Sequence, residues 1–79
     1  MSSYENFNKK EFFFIKNGIK YLITCSEKIT IFHTVLFFGY KLDLIVIEYN
    51  GVLLPIKNWK TTFLKEDDKL EIVTIVGGG

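Results

Sequence analysis

The sequence contains no alanine, arginine or glutamine, and it has a single cysteine, histidine, proline and tryptophan. The lone Cys25 excludes an internal disulfide and is typical of a reducing compartment. A structural zinc site needs four ligands, and one cysteine and one histidine are too few to supply them. Cys25 is expected just past a strand and His33 inside a helix, so we do not expect a nucleophile–base pair. The sequence predicts neither a metal site nor a self-sufficient catalytic group.

Strong charge and long apolar runs are also missing. The net charge is +1, all ten basic residues are lysines, and they form no basic block. We therefore expect no binding to nucleic acid or to an anionic membrane. No apolar run approaches the roughly 20 residues of a membrane span. The run "EFFFI" is too short for a signal peptide, and acidic Glu5 and Glu11 lie beside it.

What is abundant points to an AT-rich genome. Phe, Ile, Lys, Asn and Tyr, whose codons are rich in A and T, supply nearly half of the residues. A plastid or a reduced bacterium is the expected source. We accordingly expect the protein in the plastid (chloroplast) stroma if it is plastid-encoded, and in the bacterial cytoplasm otherwise. The length of 79 residues predicts one domain.

The first half of the chain predicts a hairpin and then a helix. Residues 1–10 are polar and are interpreted as a flexible leader. Asn17-Gly18 joins two β-rich runs at 11–16 and 19–24, the strongest short-range hairpin signal. A helix is then expected within 30–39, because Thr30 suits an N-cap and Gly39 suits a left-handed C′ position.

The second half predicts three more strands. "LDLIVIEY" is almost continuously apolar and is interpreted as a strand buried on both faces. Asn50-Gly51 makes a second turn before a short strand, "VLL". Residues 56–68 have no clear period and end on an acidic run, Glu66 to Asp68, that we expect to be solvated. "KLEIVTIV" is predicted as the last strand.

The element order β-β-α-β-β-β predicts an α+β domain in two layers. The arrangement that fits is the β-grasp (ubiquitin-like) fold, a mixed sheet of four to five strands wrapping one helix. The last strand should lie parallel to the first, with the helix and middle strands as the crossover. We assign residues 11–76 to this domain and 77–79 to a flexible Gly-Gly-Gly tail.

The stretches "YNGVLLP" and "NWKTTFLKEDDKLEIVTIVGGG" resemble the ThiS family, the ubiquitin-like sulfur carriers of thiamin biosynthesis. The resemblance covers about residues 12–79 and departs from the family pattern at two positions. Ile56 replaces the basic residue usual after the proline, and Asp67 replaces a glycine. If position 67 needs a positive φ, aspartate is among the few side chains that tolerate it. The matching residues are Asn50, Gly51, Pro55, Trp59, Leu64, Asp68, Ile72, Val73, Val76 and Gly77–Gly79.

The resemblance implies a protein cosubstrate rather than an enzyme. An E1-like adenylating enzyme uses ATP to activate the C-terminal carboxylate, here that of Gly79. A sulfurtransferase or cysteine desulfurase supplies persulfide sulfur, and the resulting thiocarboxylate donates sulfur to thiazole synthase. Gly77 and Gly78 are expected to thread the tail into narrow pockets. The carrier itself is expected to bind no cofactor.

Other functions remain open from the sequence. A small subunit of molybdopterin synthase or a tRNA-thiolating carrier uses the same tail chemistry, whereas a non-covalent β-grasp interaction module would not need the tail. Four residues form a candidate partner surface. One of Leu53 and Leu54 should be exposed on a short strand. Trp59 and Phe63 either cap the core or contact a partner.

Overall fold

The structure is a computed structural model that describes residues 9–75. Five strands and one α-helix follow one another in the predicted order, with 3-10 turns at Leu42–Leu44 and Ile56–Asn58. No helix between residues 9 and 75 is long and apolar enough to cross a membrane. The elements are β1 (Lys10–Lys16), β2 (Ile19–Cys25), α1 (Ile31–Phe37), β3 (Ile45–Tyr49), β4 (Val52–Leu54) and β5 (Lys69–Thr74).

The strands form one mixed sheet in the order β2-β1-β5-β3-β4. The last strand, β5, lies at its centre, parallel to β1 and antiparallel to β3. The parallel pairing places Ile15 opposite Lys69 and Lys16 opposite Leu70. The chain reaches this position through α1, β3 and β4, which provide the long connection that parallel neighbours need. The predicted fold and the predicted β1–β5 pairing are confirmed.

Both Asn-Gly dipeptides form the predicted turns. Asn17 and Gly18 have φ of 51° and 81°, and Asn50 and Gly51 have φ of 53° and 87°, as a type I′ turn requires. Asn17 also contributes to the sheet. Its side-chain amide donates to the Ile72 carbonyl at 3.0 Å and accepts from the Ile72 N–H at 2.7 Å. The first turn therefore extends the contact between β1 and β5.

Helix α1 has the predicted boundary signals. The Thr30 hydroxyl accepts from the His33 N–H at 3.0 Å and caps the first turn. At the other end, Gly39 has a φ of 83° and its N–H donates to the Leu36 carbonyl, while the Tyr40 N–H donates to Val35. These two bonds make a Schellman motif, which satisfies carbonyls that the helix end leaves free.

The core lies between α1 and one face of the sheet. The ring of Trp59 is 1% exposed, and its indole N–H donates to the Leu54 carbonyl at 3.0 Å. This bond satisfies the only polar atom of the indole, so the residue is buried without an orphaned donor. The buried apolar residues are Phe14, Ile31, Val35, Ile45, Ile47, Trp59, Leu64, Leu70 and Ile72.

One basic side chain also enters this interior, at the end of β1. Lys16 is 9% exposed, and its Nζ donates to the Tyr40 hydroxyl at 3.0 Å. The same atom lies 4.6 Å from the centre of the Phe38 ring and 5.5 Å from that of Tyr21. Aromatic faces attract a cation, which stabilises the ammonium where water is excluded. No pattern in the sequence indicated this lysine.

The prediction that "LDLIVIEY" is a strand buried on both faces is wrong. Residues Leu42–Leu44 form a 3-10 turn, so β3 begins only at Ile45. Within β3, Ile45 and Ile47 are buried whereas Val46 and Glu48 are exposed. The reason is that the described chain has one helix, which covers one face of the sheet and leaves the other to solvent.

Candidate functional site

The path of β5 defines the site, because this strand leads to the C-terminal glycines. Its end is held by Thr74, which pairs with Ile45, and by the Ile75 N–H, which donates to the Leu44 carbonyl. β1 pairs only with the first two residues of β5, whereas β3 pairs with it as far as Thr74, so the end from which the tail begins is held on the β3 side. Val76 and the predicted reactive tail, Gly77–Gly79, lie outside the described residues.

The entry to β5 is built around a buried carboxylate. Asp68 is 4% exposed. Its side chain accepts from the Tyr49 hydroxyl at 2.7 Å, the Asn50 amide at 3.1 Å and the Lys65 N–H at 2.8 Å. The expectation that residues 66–68 form a solvated acidic run is therefore wrong for Asp68. Three donors offset the loss of water around this carboxylate, which ties the turn before β5 to the β3–β4 turn.

The hydroxyl of Tyr49 connects this carboxylate to a cation. Lys65 Nζ donates to that hydroxyl at 2.8 Å and lies 3.8 Å from Asp68 Oδ1. Partial burial raises the pKa of Tyr49 above its ordinary value, and the hydrogen bond to Asp68 raises it further against the opposing effect of Lys65. The pKa of Lys65 is also raised, first by its hydrogen bond to Tyr49 and then by the charge of Asp68. Both shifts stabilise the protonated forms near neutral pH.

Asp67 adopts the positive φ that the sequence analysis considered for this position. Its φ is 66°, in the left-handed region, and its N–H donates to the Phe13 carbonyl at 2.8 Å. A glycine adopts this conformation without strain, and aspartate is one of the side chains that tolerate it. The substitution at this position therefore keeps the turn that starts β5.

The four candidate partner residues lie in different environments. Trp59 belongs to the core and is removed from the candidate surface. Leu54 faces the same interior, half-buried beside Ile47, while Leu53 is 63% exposed on the opposite face. The expected division between the two leucines is thus confirmed. Phe63 is exposed along a groove at the end of the sheet that Leu53 does not line.

The outer face of the sheet carries a surface that sequence reasoning missed. Beside Leu53, this face presents Val46 opposite Val73 and Glu48 opposite Glu71. The three apolar side chains are all exposed, Val73 by 56%. We call these five residues the outer patch. The alternation of buried and exposed positions along β5 could have indicated its outward-facing residues. Which of them pair with residues of β3 depends on the strand register, which the sequence does not show.

Cys25 and His33 lie on different elements, and no hydrogen bond joins them within residues 9–75. Cys25 is half-buried at the end of β2 and lines the groove beside Phe63. The His33 ring lies on α1, with Nδ1 2.9 Å from the Thr30 hydroxyl. Across the part of the chain that the structure describes, no three His, Cys, Asp or Glu side chains cluster in a way that could hold a metal ion.

A mixed sheet with a central parallel pair, wrapped around one helix, defines the ubiquitin-like β-grasp class. A model of the ThiS family matches residues 16–79, most of the chain. The chain belongs to the ThiS family. This membership supports a sulfur-carrier role and a small non-enzymatic protein.

Relatives and a solved structure agree with this assignment. An uncharacterized protein ycf40 of Trieres chinensis is 42% identical over 67 residues, covering 85% of this chain and 88% of the relative. An uncharacterized protein ycf40 of Porphyra purpurea is 38% identical over 55 residues, 70% of this chain and 78% of the relative. The crystal structure of a thiamine biosynthesis protein (ThiS) from Geobacter metallireducens superposes with a TM-score of 0.72. The match covers 86% of this chain and 100% of the Geobacter chain at 20% sequence identity, which shows that the two share a fold.

Proposed function

We propose that this protein carries sulfur as a thiocarboxylate on the C-terminal glycine, Gly79, in the formation of the thiazole of thiamin. The observation that carries the proposal is that the family match continues through the tail to residue 79. It is supported by β5, a central strand whose hydrogen-bonded end at Ile75 lies two residues before the first glycine of the tail. A firmly held strand followed by residues without Cβ suits delivery of a chain end into another protein's active site.

The chemistry begins at the carboxylate. One oxygen attacks the α-phosphorus of ATP, pyrophosphate leaves, and the carboxylate becomes an acyl adenylate. A persulfide sulfur then attacks the carbonyl carbon and AMP leaves with the C–O bond electrons. The product is an acyl disulfide. A thiol then attacks the sulfur that belongs to the sulfur donor and forms a new disulfide with it, and the former terminal sulfur of the persulfide stays on the carbonyl carbon as the thiocarboxylate. The E1-like adenylating enzyme provides the catalytic groups, and the carrier provides the reacting carboxylate.

The partners follow from the same steps. The adenylating enzyme takes the tail first, a sulfurtransferase or cysteine desulfurase supplies the persulfide, and thiazole synthase receives the sulfur. Gly77 and Gly78 allow one chain end to enter the adenylating enzyme and the synthase in turn, because close-packed pockets leave no room for side chains. A plastid is the proposed location, supported by the AT-rich codon bias of the residues used and by relatives named ycf40.

ATP–pyrophosphate exchange with the adenylating enzyme of the same organism tests the proposal. Wild type should support exchange, and a variant lacking Gly78 and Gly79 should support none. Gly78→Ala is the sharper variant, since it adds one methyl group and should still reduce exchange severely if the enzyme encloses the tail. Adding one residue after Gly79 should abolish exchange, because the carboxylate moves by about 3.5 Å. Equal exchange from all four proteins would show that the tail is not the reactive group.

A further inference from the structure

Strand β2 lies at one edge of the sheet, and its outer side has no neighbouring strand within residues 9–75. Each of its seven residues pairs with one residue of β1, so it contains no bulge, and it contains no proline. Such an edge is a ready template for another strand. The opposite edge, β4, is only three residues long and is followed by Pro55, two features that protect an edge from pairing.

The hydrogen bonds of β1 show which residues of β2 point to this free edge. The Ile15 N–H donates to the Asp68 carbonyl beside β5, so the backbone of Ile15 faces away from β2. Hydrogen-bonded and non-hydrogen-bonded pairs alternate along an antiparallel ladder. Because Ile15 is paired with Lys20, the backbone N–H and C=O of Lys20 point to the free edge. Those of Leu22 and Thr24 do the same.

These three outward-pointing residues select one register for an antiparallel copy of β2. A second chain must place its own outward-pointing groups opposite them. Centring the pair on Leu22 puts Leu22 opposite the partner's Leu22 and Lys20 opposite the partner's Thr24, so all three residues are used. Shifting the partner by two residues leaves one of the three outside the pairing. The strand is therefore complementary to itself about a two-fold axis at Leu22.

The apolar side chains match in this register as well. On the helix-free face, Phe13 and Leu22 of one chain continue into the partner's Leu22 and Phe13, an apolar row across four strands. Leu22 is 55% exposed and Phe13 is 40% exposed in the single chain. On the face that carries the helix, Tyr21 comes opposite the partner's Ile23. Apolar and aromatic pairs at directly opposite positions stabilise a sheet.

The charges are complementary across the same axis. Lys20 is the one charged residue of β2. Thr24, which it meets on the partner, is paired with Glu11 on β1, and the Thr24 hydroxyl donates to the Glu11 carboxylate at 3.4 Å. The backbone of Lys20 thus lies two strand spacings, about 10 Å, from that of the partner's Glu11, within reach of extended side chains. Two such pairs add little affinity at an exposed surface, but they favour this register over others.

We propose that two copies of this chain associate through β2, paired antiparallel about Leu22, so that their two sheets join into one continuous sheet. Seven residues from each chain make an interface at the small end of the range, below about 1,200 Å², so the dimer dissociates on dilution. β1 separates β2 from β5, and the ends of both β5 strands stay outside the interface. Association therefore does not depend on the carrier function.

Sedimentation velocity of the full chain, in the presence of a thiol reductant, measures this association. The sedimentation coefficient of wild type should rise from the monomer value towards the dimer value between about 10 µM and 1 mM, the range expected of a small interface. Leu22→Lys should remain a monomer throughout, because it places two lysines directly opposite each other.

Val52→Lys is the matched control for the added charge. It changes an exposed apolar residue of the other edge strand, β4, and should associate like wild type. Leu22 and Val52 are both exposed, so each lysine variant should unfold cooperatively on heating. That readout excludes misfolding as the reason for a monomeric Leu22→Lys.

A disulfide at the two-fold axis tests the register. In a Cys25→Ser background, Leu22→Cys places two thiols opposite each other, with Cα atoms about 5.5 Å apart, a separation that a disulfide spans. Mild oxidation should link the two chains. Thr24→Cys in the same background is the control. Its two thiols are four residues apart along the paired strands, about 14 Å, and should stay unlinked.

Three results would overturn the inference. Wild type that stays monomeric up to about 1 mM, with no disulfide in Leu22→Cys, would show that β2 does not pair with a second copy. Equal loss of association in Val52→Lys would show that the effect follows net charge. Equal linkage through Thr24→Cys would show that the chains meet in another arrangement.

Discussion

The hydroxyl of Tyr49 lies 2.7 Å from Asp68 Oδ2 and joins the last residue of β3 to the residue before β5. These two positions are 19 residues apart in the chain. The contact sets where β5 begins relative to β3, and the register of β5 decides which of its residues face the helix. The buried carboxylate is therefore a structural device that supports the strand carrying the tail.

Removing the charge of Asp68 should weaken the fold. In Asp68→Asn one carboxylate oxygen becomes an NH₂ group, which accepts no hydrogen bond. The single remaining oxygen cannot accept from the Tyr49 hydroxyl, the Asn50 amide and the Lys65 N–H together. A buried donor left without its acceptor costs about 1–3 kcal/mol. We expect the free energy of unfolding in urea to fall by about 2 kcal/mol. The control Asp43→Asn, at an exposed residue, should change it by less than about 0.5 kcal/mol.

The left-handed conformation of Asp67 predicts a ranking of substitutions. Asp67→Gly should be at least as stable as wild type, because glycine has no Cβ to strain at a φ of 66°. Asp67→Val should be less stable by about 1–2 kcal/mol, since a β-branched residue clashes there. Urea unfolding of the three proteins measures the order. A valine variant as stable as wild type would contradict the assigned backbone conformation.

The raised pKa values of Tyr49 and Lys65 predict an alkaline loss of stability. The ordinary values are 10.0 and 10.5, and both groups bind their protons more tightly in the folded state. The folded protein thus retains protons that the unfolded chain releases. The resulting contribution to the free energy of unfolding is complete below about pH 10 and disappears as pH rises through the raised pKa values.

Tyr49→Phe isolates this contribution. The free energy of unfolding of wild type should fall more steeply above pH 10 than that of the variant, because the variant has no phenol to titrate and Lys65 loses its hydrogen bond. The measurement is chemical unfolding at a series of pH values between about 8 and 11. Parallel curves for the two proteins would show that the hydrogen-bonded phenol does not titrate with a shifted pKa.

Local signals in the sequence were enough for most of the fold. Asn17-Gly18 requires positive φ at both residues, and Thr30 with Gly39 delimits a helix, so these elements could be predicted from neighbours in the chain. The place of β5 beside β1 followed from the β-grasp arrangement that fits the element order. The turn and cap signals depend on backbone geometry over a few residues, and the structure confirms them together with the β1–β5 pairing.

The predictions that failed depend on contacts distant in the chain. Asp68 looks solvated because it follows two acidic residues, and its burial comes from Tyr49 and Asn50 on another turn. The apolar run before Tyr49 looks buried on both faces, since periodicity does not reveal that one face lacks a covering layer. The pairing of Glu48 with Glu71 depends on strand register, which neither segment shows by itself.

The most direct test of the carrier function is the intact mass of the protein after purification from its own organism under non-reducing, thiol-free conditions. A sulfur carrier should yield a species heavier than the unmodified chain by the difference between one sulfur and one oxygen atom, and fragmentation should place that difference on Gly79. The heavier species should be absent from a strain without the adenylating enzyme. If only the unmodified mass is found in cells that are actively making thiamin, Gly79 does not carry sulfur and the proposed function is wrong.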